Sequence, residues 1–259
     1  MANKLIADYA RNAPFVVAGR VAKTGAANMP MVPASANTGV FQIDEIFHGP
    51  PVLNSFAGKE ITVLFSDSEA APRTGQSLVL FATSWLYGEG LAVLEVGRMD
   101  HSGERREAMR TDIHEAFERR EDELLLARIN LADLIVVGKV IKTAPAPDEI
   151  RRRMPITEHT PDWWSAEIEI SSIERGSHQG KRIHIWFPNS EDAAWHESAK
   201  FKPGQEGIWL LQRDQQERGW PIMRIPGVSA LHPLDFHPLD RLDRIRRLLP
   251  KPATTPRRR

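Results

Sequence analysis

The residues best suited to chemistry lie near the carboxyl end of the chain, in the segment HPLDFHPLD. This segment repeats His-Pro-Leu-Asp and brings His232, Asp235, His237 and Asp240 close together in sequence. Imidazole nitrogens and carboxylate oxygens are ligands for zinc and other divalent cations, so a metal site is one interpretation. The other is a proline-braced approach to the last helix, with the aspartates capping its start. We favour this structural interpretation and predict no metal and no cofactor.

Motifs of known catalytic centres are missing from the sequence. The His-Glu neighbours at His114 and His196 lack the second histidine, four positions later, that a zinc protease motif requires. The sequence contains no phosphate loop, no dinucleotide fingerprint and no nucleophile elbow. It also has no cysteine, which excludes disulfides, thiolate zinc sites and a cysteine nucleophile. We therefore predict that the protein is not an enzyme.

Tryptophan is distributed unevenly, since six of the seven tryptophans lie in the second half of the chain. Trp186, Trp209 and Trp220 fall within strand patterns and are predicted to be core residues. The other three have polar, loop-like surroundings, and exposed aromatics of this kind anchor protein interfaces. We predict that the protein-binding residues are Trp163, Trp164 and Trp195. Packing between two domains would account for them equally well.

The charge of the chain argues for a protein partner. Its 34 basic and 34 acidic side chains cancel, so the strong positive field of a general nucleic-acid binder is absent. The basic runs Arg151–Arg153 and Arg257–Arg259 leave room for a restricted groove that would bind single strands. We predict another protein as the partner and disfavour nucleic acid.

The chain also lacks recognisable membrane and export signals. Asp8 and Arg11 interrupt the amino-terminal stretch where a signal peptide needs continuous apolar residues. The uncharged apolar segment 74–88 is shorter than the roughly 20 residues of a membrane helix. These observations predict a cytoplasmic protein without a membrane span.

The sequence contains an internal duplication. FVVAGRVAKT at 15–24 recurs as LIVVGKVIKT at 134–143, and GKEITVLFSDS from Gly58 recurs as GKRIHIWFPNS from Gly180. Three further motif pairs occur in the same order in both halves. They are FQIDEIFHG with IEISSIERG, TGQSLVLF with PGQEGIWL, and GLAVLEV with GWPIMRI. Matched motifs in matched order predict two homologous domains.

Each copy has the pattern of a small β-barrel. Alternating apolar residues predict five short strands with glycines at the corners, and SWLYGE forms the turn of the last hairpin. A segment without glycine or proline, 104–130, predicts a helix between the copies, and 238–249 predicts a final helix. The predicted fold class is mainly β, with two tandem OB-like barrels joined by a long helix. The predicted domains are 1–119 and 120–249, followed by a disordered basic tail, 250–259.

This ordered pattern resembles the TIMP-like or netrin-like domain over residues 13–98 and 132–226. In order, it consists of VVxGxV, a strand ending on glycine, GKxIxVxF, GQxxLxF and a hairpin. The resemblance implies an OB-type barrel, flanked by helices, that binds proteins. Metalloproteinase inhibitors of that family chelate zinc through an amino-terminal cysteine, whereas this chain begins with the cysteine-free MANKLIADYAR. We predict a non-enzymatic protein-binding or assembly scaffold. Single-stranded nucleic-acid binding and protease regulation without the cysteine are the alternatives.

Overall fold

A computed structural model describes residues 2–67, 71–88, 90–101, 106–153, 160–192, 195–213, 216–217, 223–224 and 227–250. The chain divides into two compact units, Met1–Glu121 and Asp122–Arg259. Trp220 and the predicted tail, apart from Pro250, lie outside the described residues. No helix within the described ranges is long and apolar enough to cross a membrane.

The first unit is a closed five-stranded barrel, here called barrel one. Its elements are α1 (Ala2–Asn12), β1 (Phe15–Thr24), β2 (Thr38–His48), a 3-10 helix (Pro51–Phe56), β3 (Glu60–Leu64), β4 (Ser77–Tyr87), β5 (Leu91–Asp100) and α2 (Arg106–Leu131), which continues into the second unit. The strand order is β1-β2-β3-β5-β4, with β3 and β5 parallel and the other pairs antiparallel. This is the topology of an OB-like barrel.

The second unit repeats this topology as barrel two. Its elements are β6 (Leu134–Pro145), α3 (Asp148–Arg151), β7 (Trp163–Arg175), β8 (Arg182–Pro188), β9 (Glu206–Arg213), β10 (Gln216–Glu217), β11 (Met223–Arg224), β12 (Val228–Ser229), β13 (Phe236–His237) and α4 (Leu242–Leu248). Strand β12 pairs with β8 in parallel and with β9 in antiparallel, so the ring β6-β7-β8-β12-β9 also closes.

Matching irregularities in the first strand of each barrel confirm the duplication. Register shifts occur at Ala18/Gly19 in β1 and at the corresponding Val137/Gly138 in β6. A Cβ atom at Gly19 would lie 2.0 Å from the Gln42 carbonyl oxygen, and one at Gly138 would lie 2.3 Å from that of Glu169. Glycine is therefore required at both positions, because the neighbouring strand comes too close for any side chain.

The hydrophobic core of each barrel lies inside the ring, and helices cover one outer side. In barrel one, Ile6 of α1 and Ile113 of α2 pack against outward residues of β1 and β4. In barrel two, Ile129 of α2 and Ile245 of α4 pack in the same way against β6 and β9. The helix predicted at 104–130 is confirmed as α2, and the final helix is shorter than predicted.

The closing strand of barrel two differs from the prediction. The segment GWPIMRI was expected to match β5, but β12 begins only at Val228 and holds the β5 position between β8 and β9. A 3-10 turn (Pro233–Asp235) then interrupts the strand, which resumes as β13 and pairs again with β9. The first His-Pro-Leu-Asp unit, 232–235, thus lies between the two parts of the closing strand.

Candidate ligand-binding surface

The predicted tryptophan site is largely buried. Trp163 is 2% exposed and Trp195 7% exposed, and their rings meet edge to face with centroids 5.7 Å apart. Both belong to an apolar cluster with Ala146 and Leu231. The prediction that they are exposed anchors is therefore wrong, because they fill a small core outside the barrel. Trp164 is half-buried, and its indole N–H donates to Asp162 Oδ2 at 2.9 Å.

The His-Pro-Leu-Asp repeat builds a turn and a buried ion pair. Asp235, 1% exposed, accepts hydrogen bonds from the amides of Leu231 and His232 through one oxygen, both at 2.9 Å. Its other oxygen accepts from Arg128 Nε at 3.0 Å and from the terminal guanidinium nitrogen at 2.6 Å. Every lone-pair direction of this carboxylate is used within the fold. Within the described ranges no group of three or more candidate ligand side chains lies close enough to hold a metal.

Both histidines of the repeat also serve the turn. His232 Nδ1 accepts from the Leu234 amide at 3.0 Å, and His237 Nε2 lies 2.9 Å from the Leu234 carbonyl oxygen. Burial lowers the pKa of His232 and that of His237 below the usual value for histidine. The acceptor role of His232 Nδ1 requires a neutral ring, which the lowered pKa favours.

Exposed aromatic side chains occur instead on barrel one. Among the described residues, Trp85 is 39% exposed and Tyr87 63% exposed, and both lie at the end of β4. Strand β4 contains a bulge here, since Ser84 pairs with Val93 and Leu86 with Ala92. Trp85 is the extra residue of this bulge, and it pairs with no residue of β5. The sequence pattern predicted a turn over SWLYGE, and neither aromatic was among the predicted site residues.

The 3-10 helix after β2 supports the exposed tyrosine. The ring of Phe56 meets Tyr87 edge to face, with centroids 6.2 Å apart. The ammonium group of Lys59 lies 5.6 Å from the centroid of Phe56, within the range of a cation–π contact. An aromatic platform with an adjacent cation results.

The β1–β2 loop reaches the same turn. Asn28 is fixed to β3, because its amide donates to Thr62 Oγ1 at 3.0 Å and its Nδ2 to the Glu60 carbonyl at 2.9 Å. The next residue, Met29, lies beside Gly90, where a Cβ atom would be 3.1 Å from Met29 Cγ. We call Met29, Lys59, Trp85 and Tyr87, together with the buried Phe56 that contacts Tyr87 and Lys59, the hairpin surface.

Barrel two carries a polar groove of about 690 Å³ at the bulge of β6. Charged side chains of both signs line it, namely Lys139, Lys181, Glu169 and Glu206. Lys139 Nζ lies 3.0 Å from Glu206 Oε1, so the charges of these two side chains offset each other. The groove offers no excess of either charge.

Comparison with known proteins gives a distant likeness only. No protein-family model and no curated protein matches this chain. A deletion mutant of the single-stranded DNA-binding protein from Thermus aquaticus matches with 12% identity and a TM-score of 0.18, over 94% of this chain and 97% of that one. The wild-type protein matches with 12% identity and a TM-score of 0.17, over 84% and 89%.

The comparison corrects one prediction. Nucleic acid was disfavoured as a partner on the ground of net charge, and that exclusion is withdrawn because the matched structures are single-stranded DNA-binding proteins. With TM-scores this low, the likeness itself carries no argument for a ligand. The case for any ligand therefore depends on the surface of this chain.

Proposed function

We propose that the protein is a non-enzymatic binding module that holds single-stranded nucleic acid on the hairpin surface of barrel one. The observation that carries this proposal is the position of Trp85 and Tyr87. They are the exposed tryptophan and tyrosine of the described residues, and they lie where the β4–β5 turn meets the β1–β2 loop. OB barrels use these two loops, with the face between them, to bind oligonucleotides.

The side chains of this surface suit an unpaired strand. Exposed aromatic rings stack on bases of any sequence, and each stacked base contributes about 1–3 kcal/mol. Phe56 holds one edge of Tyr87, which reduces the conformational entropy that binding would remove. Lys59 supplies a cation for a phosphate next to the stacked base.

A protein ligand is the second candidate, and specific observations favour it. Met31 is 80% exposed on the β1–β2 loop, and Val52 is exposed on the 3-10 helix. Asp44 and Glu60 lie exposed on β2 and β3 and would repel phosphates. Exposed tryptophan, tyrosine and methionine are also enriched at protein interfaces. The TIMP-like or netrin-like resemblance belongs to this second proposal, since it implies a protein ligand.

Fluorescence anisotropy with a labelled single-stranded oligonucleotide separates the two candidates. The proposal expects binding that weakens as salt rises, because phosphates release counterions. Trp85→Ala and Tyr87→Ala should each reduce affinity by roughly 5- to 100-fold, the equivalent of a lost stacked base. Trp164→Ala, a half-buried tryptophan of barrel two, is the matched control and should bind normally. A folded protein that binds no single strand at low salt would exclude nucleic acid and leave the second candidate.

A further inference from the structure

The two barrels carry the same row of outward side chains across four strands, but with different charges. In barrel one the row is Ser77, Arg20, Gln42 and Glu60, on β4, β1, β2 and β3. In barrel two the equivalent row is Glu206, Lys139, Glu169 and Arg182, on β9, β6, β7 and β8. Residues directly opposite one another on neighbouring strands point to the same side of the sheet.

The row of barrel two is electrically balanced. Acidic and basic residues alternate from strand to strand, so each cation has a carboxylate on the neighbouring strand. Lys139 pairs with Glu206 at 3.0 Å, and Arg182 pairs with Glu167 of the same sheet at 3.3 Å. Cations already neutralised in this way have little free charge for an external anion.

The row of barrel one leaves its central cation without an ion pair. Both cross-strand neighbours of Arg20 are uncharged, because Ser77 and Gln42 replace the two glutamates of barrel two. Arg20 is exposed, and it forms no ion pair with any described carboxylate. An arginine in this state can donate hydrogen bonds to a phosphate in two directions at once.

Lys59 of the hairpin surface is equivalent to Lys181, which lines the groove of barrel two. Lys59 and Lys181 follow the glycines of the matched GK motifs. Their carbonyl groups accept equivalent bonds, from the Ile43 amide in barrel one and the Ile170 amide in barrel two. Lys181 lines the same groove as Lys139. By this equivalence we infer that Lys59 and Arg20 lie on the same side of barrel one, as Lys181 and Lys139 do in barrel two.

We propose that Arg20, on the outer face of β1, and Lys59, directly before β3, form a phosphate-binding track along which the backbone of a bound single strand leaves the hairpin surface. This inference rests on the proposed function and adds the direction of the ligand. Asp44 on β2 and Glu60 on β3 are exposed carboxylates beside the track. Because they repel phosphates, we expect the bound backbone to run on the side where Arg20 lies. Barrel two cannot form the same track, because Glu206 and Glu169 occupy the positions next to its central lysine.

The test exchanges the charges of the two rows and measures oligonucleotide affinity at several salt concentrations. Arg20→Gln should weaken binding at low salt and reduce the slope of log affinity against log salt by about 0.7, the value for one phosphate contact to a single strand. Ser77→Glu with Gln42→Glu should have the same effect, because these substitutions install the anions of barrel two. Lys139→Gln is the matched control and should leave affinity and slope unchanged.

The outcomes distinguish this inference from the proposed function. If the protein binds a single strand and Trp85→Ala weakens binding, but Arg20→Gln and the double glutamate variant leave the salt slope unchanged, the track is wrong and the hairpin surface stands. If the unaltered protein binds no single strand, both proposals fail. A melting temperature for each variant, measured by circular dichroism, confirms that lost binding does not reflect unfolding.

Discussion

At the scale of single residues, tryptophan count was a poor guide to the ligand surface. Side-chain type alone does not reveal whether a large aromatic fills a core or faces water, since both places use tryptophan. Trp163 begins a strand and Trp195 packs on it, although both have polar neighbours in sequence. The signal that marks the exposed aromatics is the WLY triplet before a Gly-x-Gly turn, because the β4–β5 loop is one of the two loops with which OB barrels bind ligands.

The buried and exposed tryptophans should respond differently to truncation. Trp163→Ala removes a fully buried ring and should lower the free energy of unfolding by about 3–5 kcal/mol. Trp85→Ala removes a ring that keeps much of its contact with water and should cost under about 1 kcal/mol. Urea unfolding of both variants measures the difference, and equal losses would contradict the assigned burial.

The buried ion pair between Arg128 and Asp235 is a second test at this scale. Asp235→Ala leaves the Arg128 guanidinium, 13% exposed, and two amides without their acceptor. Breaking one side of such a pair should cost about 3–5 kcal/mol. Asp148→Ala, at an exposed pair with Arg151, is the control and should change stability by less than about 1 kcal/mol. Chemical denaturation of both variants provides the comparison, and a neutral Asp235→Ala would contradict this account.

At the scale of elements, the duplicated motifs were sufficient to predict the barrels and the helix between them. They were insufficient for the last strand of barrel two. The expected match placed that strand before Gly227, whereas the pairings place it at Val228–Ser229 and Phe236–His237. Pairing between distant strands decides this register, and an inserted turn shifts it without altering the local apolar pattern.

The bulge glycines provide an element-scale prediction. Gly19→Ala and Gly138→Ala each place a Cβ atom against the backbone of the adjoining strand. Overpacking of this kind should destabilise each variant by about 1–3 kcal/mol or more. Gly88→Ala, at a position with no atom within 4 Å of the added carbon, should be close to neutral. Thermal unfolding tests the series, and a harmless Gly19→Ala would argue against the strand contact described here.

At the scale of the whole molecule, four histidines with lowered pKa values should make stability depend on pH. Burial lowers the pKa of four histidines, namely His48, His101, His232 and His237. The unfolded chain then binds protons more readily than the folded chain, so stability is full above about pH 6.5 and falls as the pH drops below it. Glu174 acts at lower pH, because its hydrogen bond from Arg246 lowers its pKa below the usual range.

Melting temperatures between pH 7.5 and 5.0 measure this dependence. The expected result is a decrease below pH 6.5 that becomes shallower in His48→Gln, since that ring stacks on Phe117 at 3.6 Å. His184→Gln, at an exposed histidine, is the control and should keep the wild-type profile. A protein that becomes more stable on acidification through this range would show that the pKa directions are wrong.

The whole molecule also combines two similar barrels with unequal surfaces. Among the described residues, barrel one exposes Trp85, Tyr87 and a cation that pairs with no carboxylate, whereas barrel two buries Trp163 and Trp195 and balances its charged row. A duplicated domain of this kind allows one copy to bind the ligand while the other retains a stabilising role.

Photo-crosslinking tests this division of roles most directly. A single-stranded oligonucleotide containing a photoreactive thymidine analogue is irradiated with the full chain, and mass spectrometry locates the modified peptides. The account predicts crosslinks at Trp85 or Tyr87 of barrel one, absent when an excess of unlabelled strand competes. Crosslinks confined to barrel two, or none from a complex that anisotropy shows to be formed, would contradict it.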